Sequence, residues 1–321
     1  MEINFDDNRL LTELFGEHDR HLARIEKELG VTVSSRGNRV SISGSGPAQE
    51  AAKMALTQLY EQARRGHEVN DVAVSSAIRL AEGADSAAPS EEDGWHTDAV
   101  IQTRRRPILA RSPRQAEYIR ELRAKDMVFG LGPAGTGKTF LAVAVGVLML
   151  LEGRVERIIL SRPAVEAGER LGFLPGDIKE KVDPYMRPLY DALYHSLPAD
   201  RVARSLDSGE IEIAPLAFMR GRTLGNAFII LDEAQNTTPV QMKMALTRMG
   251  ENSRMAVTGD LSQIDLPKGQ HSGLQEAVHV LGGMEGVAFV RFGQADVVRH
   301  ALVTRIVKAY EEAESGKREK T

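Results

Sequence analysis

Gly132-Pro133-Ala134-Gly135-Thr136-Gly137-Lys138-Thr139 fits the pattern G-x-x-x-x-G-K-[ST], and its flanks suit that pattern. Upstream, Met127-Val128-Phe129 is a short apolar run that reads as a buried strand. Downstream, Phe140 to Leu151 is apolar or glycine throughout and reads as a buried helix. A glycine-rich turn between strand and helix lets backbone N–H groups converge on an anion, and the positive end of the helix faces the same point. In that arrangement Lys138 reaches the β- and γ-phosphates, and the Thr139 hydroxyl ligates Mg²⁺. A glycine-rich loop is sometimes plain turn chemistry, but Gly-Lys-Thr between such flanks implies that the chain binds a nucleoside triphosphate.

Composition bounds the rest. The 321 residues suggest two domains, one of them able to bury a large core. Hydrophobic residues at 42% and charged residues at 27% are those of a globular protein. Cysteine is absent, which excludes disulfides and thiolate metal sites. The N-terminus, Met1-Glu2-Ile3-Asn4-Phe5-Asp6-Asp7, lacks the basic and apolar regions of a secretory signal. The longest apolar run is too short to span a bilayer. The expectation is a cytoplasmic protein with no membrane partner.

The net charge of −4 gives no global hint of nucleic-acid binding, but its distribution is uneven. Residues 82–98 hold six acids and no base, whereas residues 104–125 hold eight bases and two acids. The basic stretch, from Arg104-Arg105-Arg106 to Lys125, has two open readings. It faces phosphate, of nucleotide or nucleic acid, or it is a solvated face paired with the acidic segment.

Residues 1–81 read as a small α+β domain. Leu22, Ile25 and Leu29 recur at helical spacing and stop at Gly30. Val31 and Val33 alternate as a strand, Ser34 to Asn38 form a turn, and Val40 and Ile42 begin a second strand. Helices follow with Ala52, Leu56, Leu59 and Ala63 on one face, and from Asn70 to Ala81. His18 and His21, at a polar helix start, are expected to be solvated. Residues 82–105 are acidic and Ser/Pro-containing, which marks a linker in which Trp95 anchors the segment on a domain surface. Residues 106–321 alternate strand and helix. Strands are expected at Met127–Leu131, Arg157–Ser161, Ile211–Ala214, Ala227–Leu231, Arg254–Thr258 and Val287–Phe292, and a last helix from Ala295 to about Glu314. Continuous apolar strands alternating with helices predict a parallel sheet covered on both faces. The fold class is therefore α/β, a nucleotide-binding parallel sheet preceded by a small α+β domain.

Phe228-Ile229-Ile230-Leu231-Asp232-Glu233 is a buried strand ending in two acids. Beside a phosphate loop, Asp232 at the strand end holds Mg²⁺ and Glu233 orients and deprotonates the attacking water. Adjacent acids after a strand also start helices, but the Gly-Lys-Thr loop upstream favours the chemical role. Asp232-Glu233-Ala234-Gln235 resembles the DEAx signature of helicase-like ATPases. Thr258-Gly259-Asp260-Leu261-Ser262-Gln263 resembles G-D-x-x-Q of superfamily-one helicases, which implies Gln263 as the γ-phosphate sensor. Ser112-Pro113-Arg114-Gln115-Ala116-Glu117-Tyr118 resembles their adenine-reading motif. The Gln115 amide can pair with both a donor and an acceptor on the adenine edge; the alternative is a helix start facing water.

Together these residues resemble the PhoH-like protein family, in its form with an N-terminal KH-like domain. The most specific part is Ser161-Arg162-Pro163-Ala164-Val165-Glu166-Ala167-Gly168-Glu169-Arg170-Leu171-Gly172-Phe173-Leu174-Pro175-Gly176, continuing into Tyr185-Met186-Arg187-Pro188-Leu189-Tyr190. The resemblance implies ATP hydrolysis with Mg²⁺, a role in RNA metabolism, an endoribonuclease as protein partner, and assembly as a homo-oligomer or ring. It implies Arg162 as an RNA contact and Arg299, in Asp296-Val297-Val298-Arg299-His300, as the arginine that stabilises phosphoryl charge in cis or in trans. Read from the residues alone, Arg299 is equally an exposed helical side chain.

Two departures matter. A KH domain grips the nucleic-acid backbone with Gly-x-x-Gly, whereas this chain has Gly16-Glu17-His18-Asp19 in a net acidic segment. Protein contact or oligomerisation is the expected use of that domain. Unwinding normally uses two motor domains, and only one follows Arg106. An alternative function is a nucleotide-gated scaffold that recruits a partner, with slow hydrolysis as a timer. The 16 aromatic residues leave few stacking platforms for a dedicated single-strand binder.

Overall fold

The computed structural model describes residues 1–66, 68–82, 100, 101, 103, 108–163, 178–267, 269–298, 303 and 306, with the side chains of 72 and 178–184 set aside. The chain divides into two compact units, Met1–Arg120 and Glu121–Thr321.

In the first unit the elements run β1 (Glu2–Asn4), α1 (Asn8–Phe15), α2 (Arg20–Leu29), β2 (Thr32–Arg36), β3 (Arg39–Ser43), α3 (Gly46–Arg64) and α4 (Asp71–Glu82). The strands form an antiparallel sheet ordered β1-β3-β2. Leu14, Ile25, Val40, Leu56 and Leu59 are fully buried and join the helices to the sheet in one apolar core. α2 stops at Gly30, whose φ of 65° is the left-handed conformation that ends many helices. The β2–β3 turn is tighter than the sequence suggests. Ser34, Ser35 and Arg36 pair with Ser41, Val40 and Arg39, leaving Gly37-Asn38 as a two-residue loop. β1 and α1 have no counterpart in the sequence reading, since both are too short to show periodicity.

His21 corrects an expectation. It is buried rather than solvated, with Nδ1 3.0 Å from the Leu14 carbonyl oxygen. A Cβ on Gly16 would lie 2.8 Å from the His21 ring, so this glycine makes room for the histidine. The segment Gly16-Glu17-His18-Asp19 joins α1 to α2. Of the expected linker, residues 83–99, 102 and 104–105, Trp95 included, lie outside the described residues, as does Arg106. Inside the expected linker lies β4 (Val100–Ile101), which pairs antiparallel with β5 (Ile108–Leu109), and α5 (Pro113–Ala124) spans the division between the units.

The second unit contains β6 (Met127–Leu131), α6 (Lys138–Leu151), β7 (Arg157–Arg162), α7 (Ile178–Ser196), α8 (Ala199–Ser208) and β8 (Ile211–Pro215). β9 (Ala227–Leu231), α9 (Pro239–Leu246), β10 (Arg254–Gly259), α10 (Gly273–Val280) and β11 (Val287–Arg291) follow. The six strands form one parallel sheet in the order β11-β6-β10-β9-β7-β8. All five residues of β9 are buried, because both sheet faces are covered. Ala227, Ile229 and Leu231 pack with Met242 of α9 and Leu274 of α10. Phe228 points the other way onto α6, where a Cβ at Gly146 would lie 2.8 Å from its ring. No helix among the described residues is long and apolar enough to cross a membrane.

The expected last helix does not begin at Ala295. Gln294–Asp296 form a single 3₁₀ turn, and Val297 is extended at φ −68°, ψ 121°. The Asp296 carboxylate accepts the Gly293 N–H at 2.8 Å, and the Val298 N–H donates to the Gly135 carbonyl oxygen at 2.9 Å. A bond to the phosphate loop thus replaces the first helical turn.

Candidate functional site

In a parallel sheet all strands point the same way, so the loops at their carboxyl ends gather at one edge, where ligands bind. Here that edge collects the loops after β6, β9, β10 and β11, with Arg162 at the end of β7. The loop after β6 is held from both sides. The Gly132 N–H donates to the Gly259 carbonyl at 3.1 Å, and the Phe292 N–H donates to the Leu131 carbonyl at 2.7 Å. Gly132 has φ 141°, and a Cβ there would run into the Phe292 carbonyl. Gly135 and Gly137 also have positive φ, 85° and 83°, which turns the loop toward the start of α6. The Thr136 hydroxyl donates to the Pro133 carbonyl at 3.0 Å, closing the loop on itself.

Lys138 is buried, and its ammonium donates to the Gly132 and Pro133 carbonyls at 2.6 and 2.8 Å and to Thr136 Oγ1 at 3.3 Å. Charged phosphate oxygens are stronger acceptors than these carbonyls, so the cation is poised to exchange partners. Thr139 Oγ1 donates to Asp232 Oδ1 at 2.6 Å across 93 residues of chain. Thr258 Oγ1 donates to the same oxygen, also at 2.6 Å, from the neighbouring strand β10. Asp232 is buried, and its own N–H donates to the Ser161 carbonyl at 2.8 Å. A pinned carboxylate and a hydroxyl side by side are oxygen ligands of the kind Mg²⁺ takes, so the residues fit that ion.

Glu233 adopts φ 50°, ψ 40°, a left-handed conformation rare outside glycine. This turn separates its side chain from that of Asp232. Glu233 Oε2 accepts the Gln235 amide at 2.5 Å, and Oε1 lies 3.5 Å from Arg162 Nη2. Gln235 is itself buried, and its Oε1 accepts the Asp260 N–H at 3.1 Å. A carboxylate only accepts and a backbone N–H only donates, which fixes the orientation of the Gln235 amide. Hydrogen bonds therefore run from the loop after β10, through Gln235, to Glu233, and an ion pair continues the line to Arg162.

A cleft of about 400 Å³ opens above these groups, lined by Gly135, Lys138, Thr139, Asp232, Glu233, Asp260 and Gln263 among others. One wall comes from α7 through Asp191 and His195; the His195 and Phe140 rings meet edge-on at 6.0 Å. The structure thus brings together the loop residues, Lys138, Thr139, Asp232, Glu233 and Gln263. Arg162 joins them through Glu233, and its Nη1 donates to the Tyr185 carbonyl at 3.1 Å. Gln115 belongs to the first unit, where it is buried and its Oε1 accepts the Arg111 N–H at 2.7 Å. Arg299 and residues 164–177 lie outside the described residues.

The sequence reading missed Thr258, Gln235 and Asp260 as working parts. All three sit inside the motifs already quoted around Glu233 and Gln263. Asp191 and His195 gave no signal, because only the packing of α7 beside α6 brings them to the cleft.

Comparison with known proteins agrees with this geometry. The family described as PhoH-like protein matches residues 107–311. A PhoH-like protein of Bacillus subtilis (strain 168) is 49% identical over 298 residues, 93% of this chain and 93% of that one. A PhoH-like protein of Synechocystis is 45% identical over 303 residues, 94% and 92% of the two chains. Protein PhoH of Escherichia coli (strain K12) is 50% identical over 206 residues, 64% of this chain and 58% of its own. The chain belongs to the PhoH-like protein family.

Proposed function

We propose that this protein is a Mg²⁺-dependent ATPase that works with RNA. The observation that carries the reading is the bond between Thr139 and Asp232 beside Lys138, with Glu233 next in the chain on the same cleft. The triphosphate lies across the start of α6, where loop N–H groups and the helix end meet its oxygens. Lys138 leaves its loop carbonyls for the β- and γ-phosphates. Thr139 and Asp232 would hold Mg²⁺, which would supply charge neutralisation at the phosphate oxygens. Glu233 takes a proton from water as the water oxygen bonds to the γ-phosphorus and the bond to the ADP oxygen breaks. Gln263 contacts the γ-phosphate and, through the Asp260 N–H and Gln235, shares its position with Glu233.

RNA is the polymer implied by the family resemblance, and Arg162 is its candidate contact. Because Arg162 also pairs with Glu233, a polyanion that drew Arg162 outward would change the surroundings of the general base. The adenine role of Gln115, the phosphoryl role of Arg299, the KH-like character of the first unit, ring assembly and an endoribonuclease partner belong to the same reading.

The test is steady-state ATP hydrolysis with and without single-stranded RNA, with Glu233→Gln as the blank. The wild type is expected to hydrolyse ATP faster with RNA. Glu233→Gln is expected to bind ATP normally and turn over roughly 10²-fold more slowly or worse, the usual scale of general-base loss. Near-wild-type turnover in Glu233→Gln removes that residue from the mechanism. Hydrolysis indifferent to RNA, with nucleotide-dependent assembly, marks a nucleotide-gated scaffold instead.

A further inference from the structure

Asp260 is a buried acid of the cleft whose carboxylate has no role in the reading above. Its side chain is 6% exposed, and it lines the cleft with Thr139, Asp232 and Gln263. Oδ1 is occupied, accepting the Ser262 N–H at 2.9 Å and the Ser262 hydroxyl at 2.6 Å. Its backbone N–H is held by Gln235. Oδ2 is buried and has no hydrogen-bond partner among the described residues.

Buried polar atoms are nearly always paired, so an unpaired one on a residue that lines a cleft points to a group that arrives with the ligand. A carboxylate oxygen accepts only, so that group donates a proton or carries positive charge. Phosphate oxygens meet neither condition. The water shell of a divalent cation meets both. Mg²⁺ keeps several of its waters when bound by one or two carboxylates. Among the described residues no three acids or histidines are grouped closely enough to hold a metal by themselves, which suits contact through water.

We propose that Asp260 is a second carboxylate for the cation at Thr139 and Asp232, reaching it through a water of the cation's shell. The inference rests on the ATPase reading above. Ser262 and Gln235 are then the groups that aim Oδ2, and Asp260 is a positioning residue for the ion rather than a direct ligand.

The experiment is a MgCl₂ titration of the full chain with a fluorescent, non-hydrolysable ATP analogue, in the wild type, Asp260→Asn and Asp232→Asn. Asp260→Asn keeps the shape and the Oδ1 acceptor for Ser262. In EDTA it is expected to bind the analogue as tightly as the wild type or more so, since a negative charge facing phosphate is gone. The Mg²⁺ concentration for half-maximal tightening is expected to rise roughly 10-fold or more, as for other outer-shell partners of metals. An unchanged Mg²⁺ dependence in Asp260→Asn, with that of Asp232→Asn shifted, overturns the role of Asp260 alone. Loss of binding by Asp260→Asn in EDTA makes Asp260 a structural residue of the loop and overturns it too. A wild type that binds the analogue neither with nor without Mg²⁺ overturns the ATPase reading, and the inference with it.

Discussion

Glu233 shows how much one residue's backbone decides. A left-handed conformation costs a non-glycine residue about 1–3 kcal/mol and survives only where the surroundings enforce it. Here Gln235 and Arg162 hold the carboxylate, and the 3₁₀ turn Ala234–Asn236 follows directly. Asp232 and Glu233, adjacent in sequence, thereby come to face different partners. Gly132 is the complementary case: its φ of 141° and the Phe292 carbonyl leave no place for a side chain. Gly132→Ala is expected to destabilise the protein by about 1–3 kcal/mol, the scale of a strained backbone position, and to weaken nucleotide binding. Denaturant unfolding and analogue titration check both. Unchanged values would mean that the loop is free to move away from Phe292.

Among the elements, the strands of the second unit were readable to within a residue, because β6, β7, β9 and β10 are continuous apolar runs buried on both faces. The β2–β3 turn and the start of the last helix were misread for a shared reason. In both, bonding to another segment overrides local preference: the adjoining strand β3 for Ser34 to Arg36, the phosphate loop for Val298. β8 carries its own local device. Glu212 on this strand makes a two-pronged ion pair with Arg222, at 2.5 and 2.7 Å. Hydrogen bonding to that guanidinium holds the Glu212 carboxyl below the usual glutamate range, against the opposing effect of partial burial. A lowered folded-state value means stability that is present above the ordinary glutamate pKa and lost as pH falls through the depressed one. Both side chains are about one-third exposed, so solvent screening limits the pair to about 1 kcal/mol or less. Glu212→Gln is expected to lose that amount at neutral pH, and the difference from wild type to vanish in acid below the depressed value. Urea unfolding at the two pH values reads it, and an equal gap at both would remove the pair from the account.

For the whole molecule, ligand binding is expected to appear as stability, because a nucleotide that binds only the folded state shifts unfolding by mass action. At a hundred times its dissociation constant, Mg²⁺ with an ATP analogue should add about 2.7 kcal/mol to the unit that binds it. The melting transition of the second unit is expected to rise accordingly, and Lys138→Ala to abolish the rise. A rise undiminished in Lys138→Ala would take the triphosphate away from this loop. The order β11-β6-β10-β9-β7-β8 explains why this unit answers as one body. β6, which leads into the loop, lies between β11 and β10, and each neighbour bonds to it.

By itself the sequence determined the phosphate loop, the strand-end acids, the parallel sheet and the family. These are written in local runs whose chemistry depends on near neighbours: glycines where a turn needs positive φ, apolar runs where both faces are covered, acids at a strand end. Only the tertiary structure decided that Thr258 joins Thr139 on Asp232, that Gln235 and Arg162 hold Glu233, and that a buried oxygen of Asp260 has no hydrogen-bond partner among the described residues. Thr139 and Thr258 reach Asp232, and Arg162 reaches Glu233, across tens of residues, where parallel strands end side by side. Strand order sets which loops meet, and no local pattern along the chain encodes that order.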